Sequence, residues 1–369
     1  MSLDDVRRIV ALDLAPMANA IDRQGLYPET VLRRLGEAGL FAAHVGLNPS
    51  VWDGISAMAV VGQTCLSTAF ATWCQDSCGW YLANSDNIDL RDRLLPAVAS
   101  GRQLGGTALS NPMKAYANIE KVRLSGERVA GGYAVTGTLP WVSNLGPDHI
   151  FGAIFTVPGR KNGVMAMVRC DQPDVKFAQR SHFCALEGTR TMSVMLKRAF
   201  IPDSQILADP AEPFLVRVMP GFILLQAGMA LGVIRGAIDA MQEANTTHRQ
   251  INAFLPEQPQ LFEETLETLE QTVKELAATP FENNGDFMRR LLGARLDAAE
   301  WSLRAASAAV LHAGTRGFLI HGSAQRRLRE ACFVAIVTPS IKHLRKELAD
   351  IAAGGGCMSL WKSTTSAHV

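Results

Sequence analysis

Gly131-Gly132-Tyr133-Ala134-Val135-Thr136-Gly137-Thr138-Leu139-Pro140-Trp141-Val142-Ser143-Asn144 is the stretch from which the rest of the chain can be read. Tyr133, Val135 and Gly137 alternate with small residues, which is the period of a pleated strand. Pro140 has no N–H for a central ladder, so the strand is expected to stop there and the chain to turn. Trp141 then offers a flat apolar face and Ser143 a hydroxyl two residues on. In an extended segment the two side chains share a face. A planar ligand with polar edges, such as a flavin, would be walled by the first and hydrogen-bonded by the second. Taken alone, the same residues also describe a core Trp and a turn Ser.

Working outward, the texture from residue 104 to about 202 is one of short alternating or apolar runs bounded by Gly, Pro and Asn. Strands are expected at 104–108, 119–125, 128–136, 150–157, 164–169, 175–178 and 194–200. Gly131-Gly132, Gly146-Pro147 and Lys161-Asn162-Gly163 supply turns. So many strands with no helix between them predict an antiparallel barrel or sandwich.

On both sides the periodicity is helical. Pro28-Glu29 opens a helix with Val31, Leu32, Leu35 and Ala38 on one side and Arg33, Arg34 and Glu37 on the other. Residues 56–84 are small and apolar with only Asp76 charged, which predicts one or two buried helices with Trp73, Cys74, Cys78 and Trp80 in the core. A short surface helix begins at Arg91. Beyond Pro213, residues 222–242 are apolar on most sides, the mark of a helix inside a bundle. Phe262, Leu266, Leu269, Val273 and Leu276 follow at spacings of three and four. Helices are then expected at 286–313 and 324–350, the latter interrupted at Thr338-Pro339, with a Gly354-Gly355-Gly356 tail. Their apolar faces suit a four-helix bundle. The chain therefore reads as an α+β multidomain protein: an N-terminal helical domain (1–102), a middle β domain (103–210) and a C-terminal helical bundle (211–369).

Composition narrows the partners. The 369 residues exceed one ordinary core. The formal net charge of +1 creates no field for nucleic acid or anionic lipid. No uninterrupted apolar run reaches the roughly 18 residues of a membrane span. Acids precede bases at the N-terminus and no apolar cleavage signal follows, so no signal peptide is expected. Seven cysteines, mostly isolated, match neither a disulfide framework nor a zinc site. These features point to a cytoplasmic chain with free thiols and no metal. G-x-G-x-x-G after a strand, G-x-x-x-x-G-K-[ST], H-E-x-x-H and G-x-S-x-G are all missing, which argues against Rossmann, P-loop, zincin and α/β-hydrolase chemistry.

The order helices, β domain, bundle resembles the acyl-CoA dehydrogenase family of flavoproteins. Leu32-Arg33-Arg34-Leu35-Gly36-Glu37-Ala38-Gly39-Leu40 looks like its N-terminal helix. Thr107-Ala108-Leu109-Ser110-Asn111-Pro112 resembles its A-[LV]-T-E-P segment. Gly132-Tyr133-Ala134-Val135-Thr136-Gly137, then Trp141-Val142-Ser143-Asn144, resembles its G-Y-x-[LV]-N-G and W-[IV]-[ST]-N. Val194 to Pro202 looks like its strand ending in V-P, Ala313-Gly314-Thr315-Arg316-Gly317-Phe318 echoes Q-x-x-G-G-x-G-[FY], and Leu328-Arg329-Glu330-Ala331 resembles R-D-A. The resemblance implies FAD held between the middle domain and the bundle. Trp141 and Ser143 would lie against the ring, Ser143 near N5, with Leu109 and Ser110 on the pyrimidine edge. Arg249 would reach the FAD pyrophosphate of a neighbouring subunit, or is a solvated Arg ending a helix. Gly314 would admit the backbone to that same FAD. A homo-oligomer, dimer or tetramer, is implied, together with an electron-transfer or flavin reductase partner.

The dehydrogenase chemistry of that family needs a base for the α proton while flavin N5 takes the β hydride. The base is usually a Glu in E-G-T; here Thr338-Pro339 occupies the Glu-Gly positions. A Thr hydroxyl is no general base near neutral pH without an activating partner. The alternative place for the base, near Phe222 and Ile223, has no carboxylate. Met113-Lys114-Ala115-Tyr116-Ala117 replaces the family's G-x-G-S-D. Three expectations follow. An acyl-CoA dehydrogenase with a displaced base would draw on Glu330, Glu347 or Asp350, which otherwise read as surface acids. A monooxygenase of the same fold, using reduced flavin and oxygen, needs no such base; His343 would donate to its flavin, or is a helix-surface His. A non-catalytic oligomeric protein would retain the fold alone.

Overall fold

In the computed structural model, residues 1–355 are described; Gly356 of the glycine tail lies outside them. Helices α1 (Leu3–Ile9), α2 (Ala18–Gln24), α3 (Glu29–Glu37), α4 (Val51–Thr64), α5 (Leu66–Ala83) and α6 (Ile88–Ala99) come first. On α3 the apolar residues Val31, Leu32 and Leu35 are buried, while Arg33 turns back to Glu29 and to the carbonyls of Gly101 and Arg102. Ser50 caps α4 by accepting from the Asp53 N–H. Nearly every residue of α5 is buried, including Trp73, Cys74, Cys78 and Trp80, as the small apolar run predicts. Its one amide, Gln75, is satisfied on three sides. It donates to the carbonyls of Val98 and Gln103 and accepts from the Gly105 N–H, so α5 holds the first strand in place.

Strands β1 (Gly105–Thr107), β2 (Leu124–Val129), β3 (Gly132–Val142), β4 (Ile150–Phe155), β5 (Val164–Arg169), β6 (Val175–Ala178), β7 (Met192–Pro202) and β8 (Ile206–Ala208) form the middle of the molecule, with helix α7 (Ser110–Tyr116) after β1. They make two four-stranded sheets, ordered β1-β4-β5-β8 and β2-β3-β7-β6. Every pairing is antiparallel except β1 with β4. Leu124, Val135, Leu139, Phe151, Phe155, Val194 and Leu196 are among the core residues of this region.

Three expectations about this region change. The expected strand at 119–125 begins only at Leu124, because 110–116 are helical and the chain is still returning from α7. The expected strand at 128–136 is a hairpin, turning at Ala130-Gly131 between β2 and β3. Pro140 does not turn the chain. β2 covers β3 only as far as Gly137, and the β3–β7 register shifts between Leu139 and Val142. Pro140 sits in that irregularity, on the stretch with a single neighbour, where its missing N–H breaks no ladder.

Six helices complete the fold: α8 (Ala211–Leu225), α9 (Ala227–Asn252), α10 (Pro259–Ala277), α11 (Gly285–Ala313), α12 (Ser323–Ile336) and α13 (Ile341–Ala352). The apolar run at 222–242 is divided at Gln226 between α8 and α9. The joined run Ala211–Asn252 is long and apolar enough to cross a membrane, yet 89% of its most apolar window is buried against the rest of the protein. α9 crosses α4 closely. A Cβ on Gly232 would stand 2.7 Å from the Ala59 carbonyl oxygen and from the Gly62 Cα, so only glycine permits the contact. Asn284 caps α11 through the Phe287 N–H, 2.9 Å away. α12 and α13 are separated at Thr338-Pro339, as the sequence predicts. One continuous core joins the helices of both ends of the chain.

Candidate functional site

Strand β1 is where the distant sequence segments meet. Gly106 packs so tightly against the segment leaving β3 that a Cβ there would lie 2.3 Å from the Ser143 carbonyl oxygen. Asn144 donates through Nδ2 to the Gly105 carbonyl at 2.7 Å. On the other side of β1, the Tyr81 hydroxyl bonds Thr107 at 2.8 Å, and Thr107 accepts from the Leu109 N–H at 3.3 Å. Leu109 is buried, and the exposed Ser110 opens α7. The Trp141-Val142-Ser143-Asn144 and Ala108-Leu109-Ser110 segments, some thirty residues apart in sequence, thus flank one short strand.

Asn144 anchors the first segment. Its backbone is left-handed, at φ 60°, a region Asn tolerates better than most residues. Its N–H donates to the Thr189 carbonyl at 2.9 Å, and its Oδ1 accepts from Tyr27 at 2.6 Å. Arg190 covers the Tyr27 ring, its guanidinium 4.3 Å from the centroid. With the chain fixed there, Ser143 is held in a hydroxyl series: Ser143 to Thr191 at 2.6 Å, Thr191 to Thr189 at 2.7 Å, and Thr189 to the Leu186 carbonyl at 2.7 Å. Sequence reading missed Thr191, Gly106 and the role of Asn144. The only signal was the pair of threonines around Arg190. Trp141 is not a core residue: it is 58% exposed, with a long contact from its Nε1 to Ser181. Ser143 is buried, just beyond the register shift between Leu139 and Val142.

Thr338, the residue standing in the place of a carboxylate, faces Ser110 with their hydroxyl oxygens 2.9 Å apart. Its carbonyl accepts from Gln226 Nε2 at 2.8 Å, and Gln226 Oε1 accepts from Arg295 at 3.1 Å. The segment after Pro112 is helical, with Tyr116 donating to Glu212 at 2.8 Å.

The acids considered as displaced bases are engaged elsewhere. Glu330 is buried, not a surface acid: it pairs with Arg327 at 2.7 Å and accepts from the Leu66 N–H, tying α12 to the start of α5. Asp350 pairs with Lys346. Glu347 and His343 are both buried on α13, one turn apart, with 3.6 Å between His343 Nε2 and the carboxylate. His343 is therefore not a helix-surface residue, and it faces Glu347 on its own helix.

Arg249 and Gly314 lie at the ends of two adjoining helices, α9 and α11. Asn252 donates to the His312 carbonyl at 3.0 Å, and Asn245 faces His312 Nδ1 at 3.2 Å, so the last turns of α9 and α11 are stitched side by side. Arg249 is exposed there, and Gly314 ends α11 with a positive φ of 57°. Neither is hydrogen-bonded to the Ser110–Thr338 or Ser143–Thr191 pairs.

Residues 1–102 match the family described as acyl-CoA dehydrogenase, N-terminal domain. Benzylmalonyl-CoA dehydrogenase of Aromatoleum aromaticum is 25% identical over 236 residues, a span of 62% of this chain and 62% of that protein. The probable acyl-CoA dehydrogenase YngJ of Bacillus subtilis is 25% identical over 356 residues, 90% of this chain and 91% of that one. Among solved structures, butyryl-CoA dehydrogenase of Megasphaera elsdenii superposes with a TM-score of 0.84 at 16% identity, covering 95% of this chain and 97% of that one. KijD3, solved with FMN and a dTDP-linked amino sugar, gives 0.79 at 18% identity, covering 97% and 94%. With helices, paired sheets and bundle in the same order, the chain has the acyl-CoA dehydrogenase fold, and residues 1–102 carry that family's N-terminal domain.

Proposed function

We propose that this chain is a flavin-dependent oxidoreductase acting by α,β-dehydrogenation of an acyl-CoA thioester. The observation that carries the reading is the convergence on β1. Gly106 admits the Ser143 backbone at a distance no side chain allows, and the two hydroxyl pairs flank that strand. An exposed indole two residues from Ser143 fits a planar ring with polar edges. Trp141 would wall the ring, Ser143 backed by Thr191 would hydrogen-bond near N5, and Leu109 and Ser110 would hold the pyrimidine edge. Bound FAD supplies the acceptor for the substrate hydride. Thr338 can donate or accept a hydrogen bond at the substrate carbonyl or the ring, but it does not hold the α proton as a carboxylate does.

One observation favours a second reading, monooxygenation with reduced flavin and oxygen. Thr338 already shares its hydroxyl with Ser110, and Glu330, the buried acid nearest to it in sequence, is spent on Arg327 and Leu66. That chemistry requires no α-carbon base. Arg249 and Gly314 sit among exposed Ile251, Phe254, Leu311 and Phe318, a surface suited to a second copy of this chain. The reading takes 1–102, 103–210 and 211–369 as the three parts of each subunit. Electrons would leave to, or arrive from, an electron-transfer or flavin reductase partner.

Purified protein with a flavin absorbance that bleaches anaerobically on adding one of a panel of acyl-CoAs supports dehydrogenation. Reduction only by a reductase or added reduced flavin supports the oxygenase. Protein that stays colourless after incubation with FAD and FMN sinks both and leaves an oligomer that kept the fold. Trp141→Ala is expected to lower flavin occupancy; unchanged occupancy refutes the placement of the ring.

A further inference from the structure

Arg295, on α11, is 3% exposed and has no carboxylate partner among the described residues. Burial holds its pKa down at about 10, so the guanidinium is still cationic at neutral pH. A buried cation is costly unless its surroundings compensate it. Two acceptors meet it. One is the Val334 carbonyl, 2.9 Å away, in the last turn of α12, where unpaired carbonyls carry the negative end of the helix dipole. The other is Gln226 Oε1. A guanidinium only donates, so it fixes which way the Gln226 amide faces. The amide nitrogen is left pointing to an acceptor, the Thr338 carbonyl at 2.8 Å. The series ends at the Thr338 and Ser110 hydroxyls, 2.9 Å apart.

We propose that Arg295 is a positioning residue of the ring site: by holding the end of α12 and, through Gln226, the Thr338 carbonyl, it places the Thr338 hydroxyl opposite Ser110. Nothing in the sequence pattern marks Arg295, which lies on a helix far from both segments. The proposal rests on the flavin reading of the site. It explains how a segment containing Thr-Pro instead of Glu-Gly keeps one fixed hydroxyl opposite Ser110. The guanidinium orders the amide, the amide orders the carbonyl, and the carbonyl orders the turn that carries the hydroxyl.

The test is FAD affinity of the full-length apoprotein, followed by quenching of flavin fluorescence, with the thermal midpoint of the apoprotein measured alongside. Gln226→Glu keeps an acceptor for Arg295, now as an ion pair, and replaces the donor to Thr338 by a repelling oxygen. It should fold as wild type and bind FAD about five- to tenfold more weakly, the value of roughly one hydrogen bond. Arg295→Gln should lose a similar factor, and Arg295→Lys should recover part of it. Combining Arg295→Gln with Thr338→Val should cost no more than Thr338→Val alone, since both act through one hydroxyl. Wild-type FAD affinity in Gln226→Glu overturns the proposal. So does an Arg295→Gln whose midpoint falls while its affinity holds, or a double variant whose losses multiply. Wild-type protein that binds no flavin overturns the reading of the site, and the proposal with it.

Discussion

Gly106→Ala is the substitution that most directly asks whether the meeting of segments at β1 makes the site. The added Cβ would stand 2.3 Å from the Ser143 carbonyl oxygen, where real contacts essentially never fall below 3.0 Å, so the segments must part by at least 0.7 Å (3.0 minus 2.3). β1 is the better anchored of the two. It pairs with Ile150, Phe151 and Gly152 and is held by Gln75. The movement therefore falls on the Ser143 side. There the Ser143–Thr191 contact of 2.6 Å would lengthen to about 3.3 Å (2.6 plus 0.7) if the shift ran along it, past the usual 2.5–3.0 Å of an O–H···O bond. Overpacking of this kind costs about 1–3 kcal/mol. For a chain of 369 residues that lowers the thermal midpoint by only about 1–4 °C, from an unfolding entropy near 2 cal/mol/K per residue. The protein stays folded. Weakening the Ser143–Thr191 hydrogen bond is worth about 0.5–1.5 kcal/mol, a factor of roughly 2–10 in affinity. FAD affinity of the apoprotein, measured by fluorescence quenching, should therefore fall about 2- to 10-fold in Gly106→Ala. Gly131→Ala is the control: its φ of 76° strains an alanine, but a Cβ there meets nothing within 4 Å, so stability drops and affinity holds. Equal FAD affinity in Gly106→Ala and wild type would refute the reasoning, and so would equal losses in both variants.

Other outcomes follow from the same geometry. Thr338→Glu with Pro339→Gly restores the acid and the small residue at the break between α12 and α13. If only the base is missing, anaerobic bleaching by acyl-CoA should accelerate by at least a factor on the order of 100, the usual worth of a positioned base; no gain shows that the substrate side of the site differs too. The buried His44–Asp76 pair predicts a pH effect on stability. Burial holds His44 down at about 4 against an ordinary 6.5, so stability from this group is lost as pH falls from 6.5 towards 4. Burial pushes the Asp76 carboxyl well up, so its contribution falls as pH rises above the ordinary Asp range. The two slopes oppose each other between pH 4 and 6.5. Asp76→Asn removes one and should uncover a rise of up to about 1.4 kcal/mol per pH unit in denaturant unfolding across that window; a flat profile would contradict the assignment of a neutral buried His44.

Much of the architecture was legible because each layer writes its own period. The all-round apolar runs of α5 and α9 could only be buried helices, and most of the Gly- and Pro-bounded alternations between 104 and 202 read as sheet. What escaped was set by neighbours. Pro140 looked like a strand end because its tolerance depends on β2 stopping at Gly137, which is a fact about another strand. The helix at Ser110–Tyr116 escaped because it is only two turns long. Glu330 read as a surface acid because the residues that consume it, Arg327 and the Leu66 N–H, include one 264 positions away.

The site divides in the same way, and the division says what kind of information the motif held. Of Trp141, Val142, Ser143 and Asn144, the residue with the most partners is Asn144. It reaches β1, the Thr189 turn and, through Tyr27, the N-terminal helical region. It makes no claim on a ligand. Ser143 and Trp141 hold their places because Asn144 fixes the backbone, and Ser143 can come so near to β1 because position 106 has no side chain. A reader of the sequence sees Trp and Ser as the chemistry and Asn as punctuation; the structure reverses the order of cause. The same holds for the second hydroxyl pair. Thr338 draws notice as a missing base, while its position depends on Gln226 and Arg295, which carry no motif. Residues that touch a ligand share short patterns because they must present particular groups. The residues that aim them need only reach, from any element, the one atom that fixes the turn.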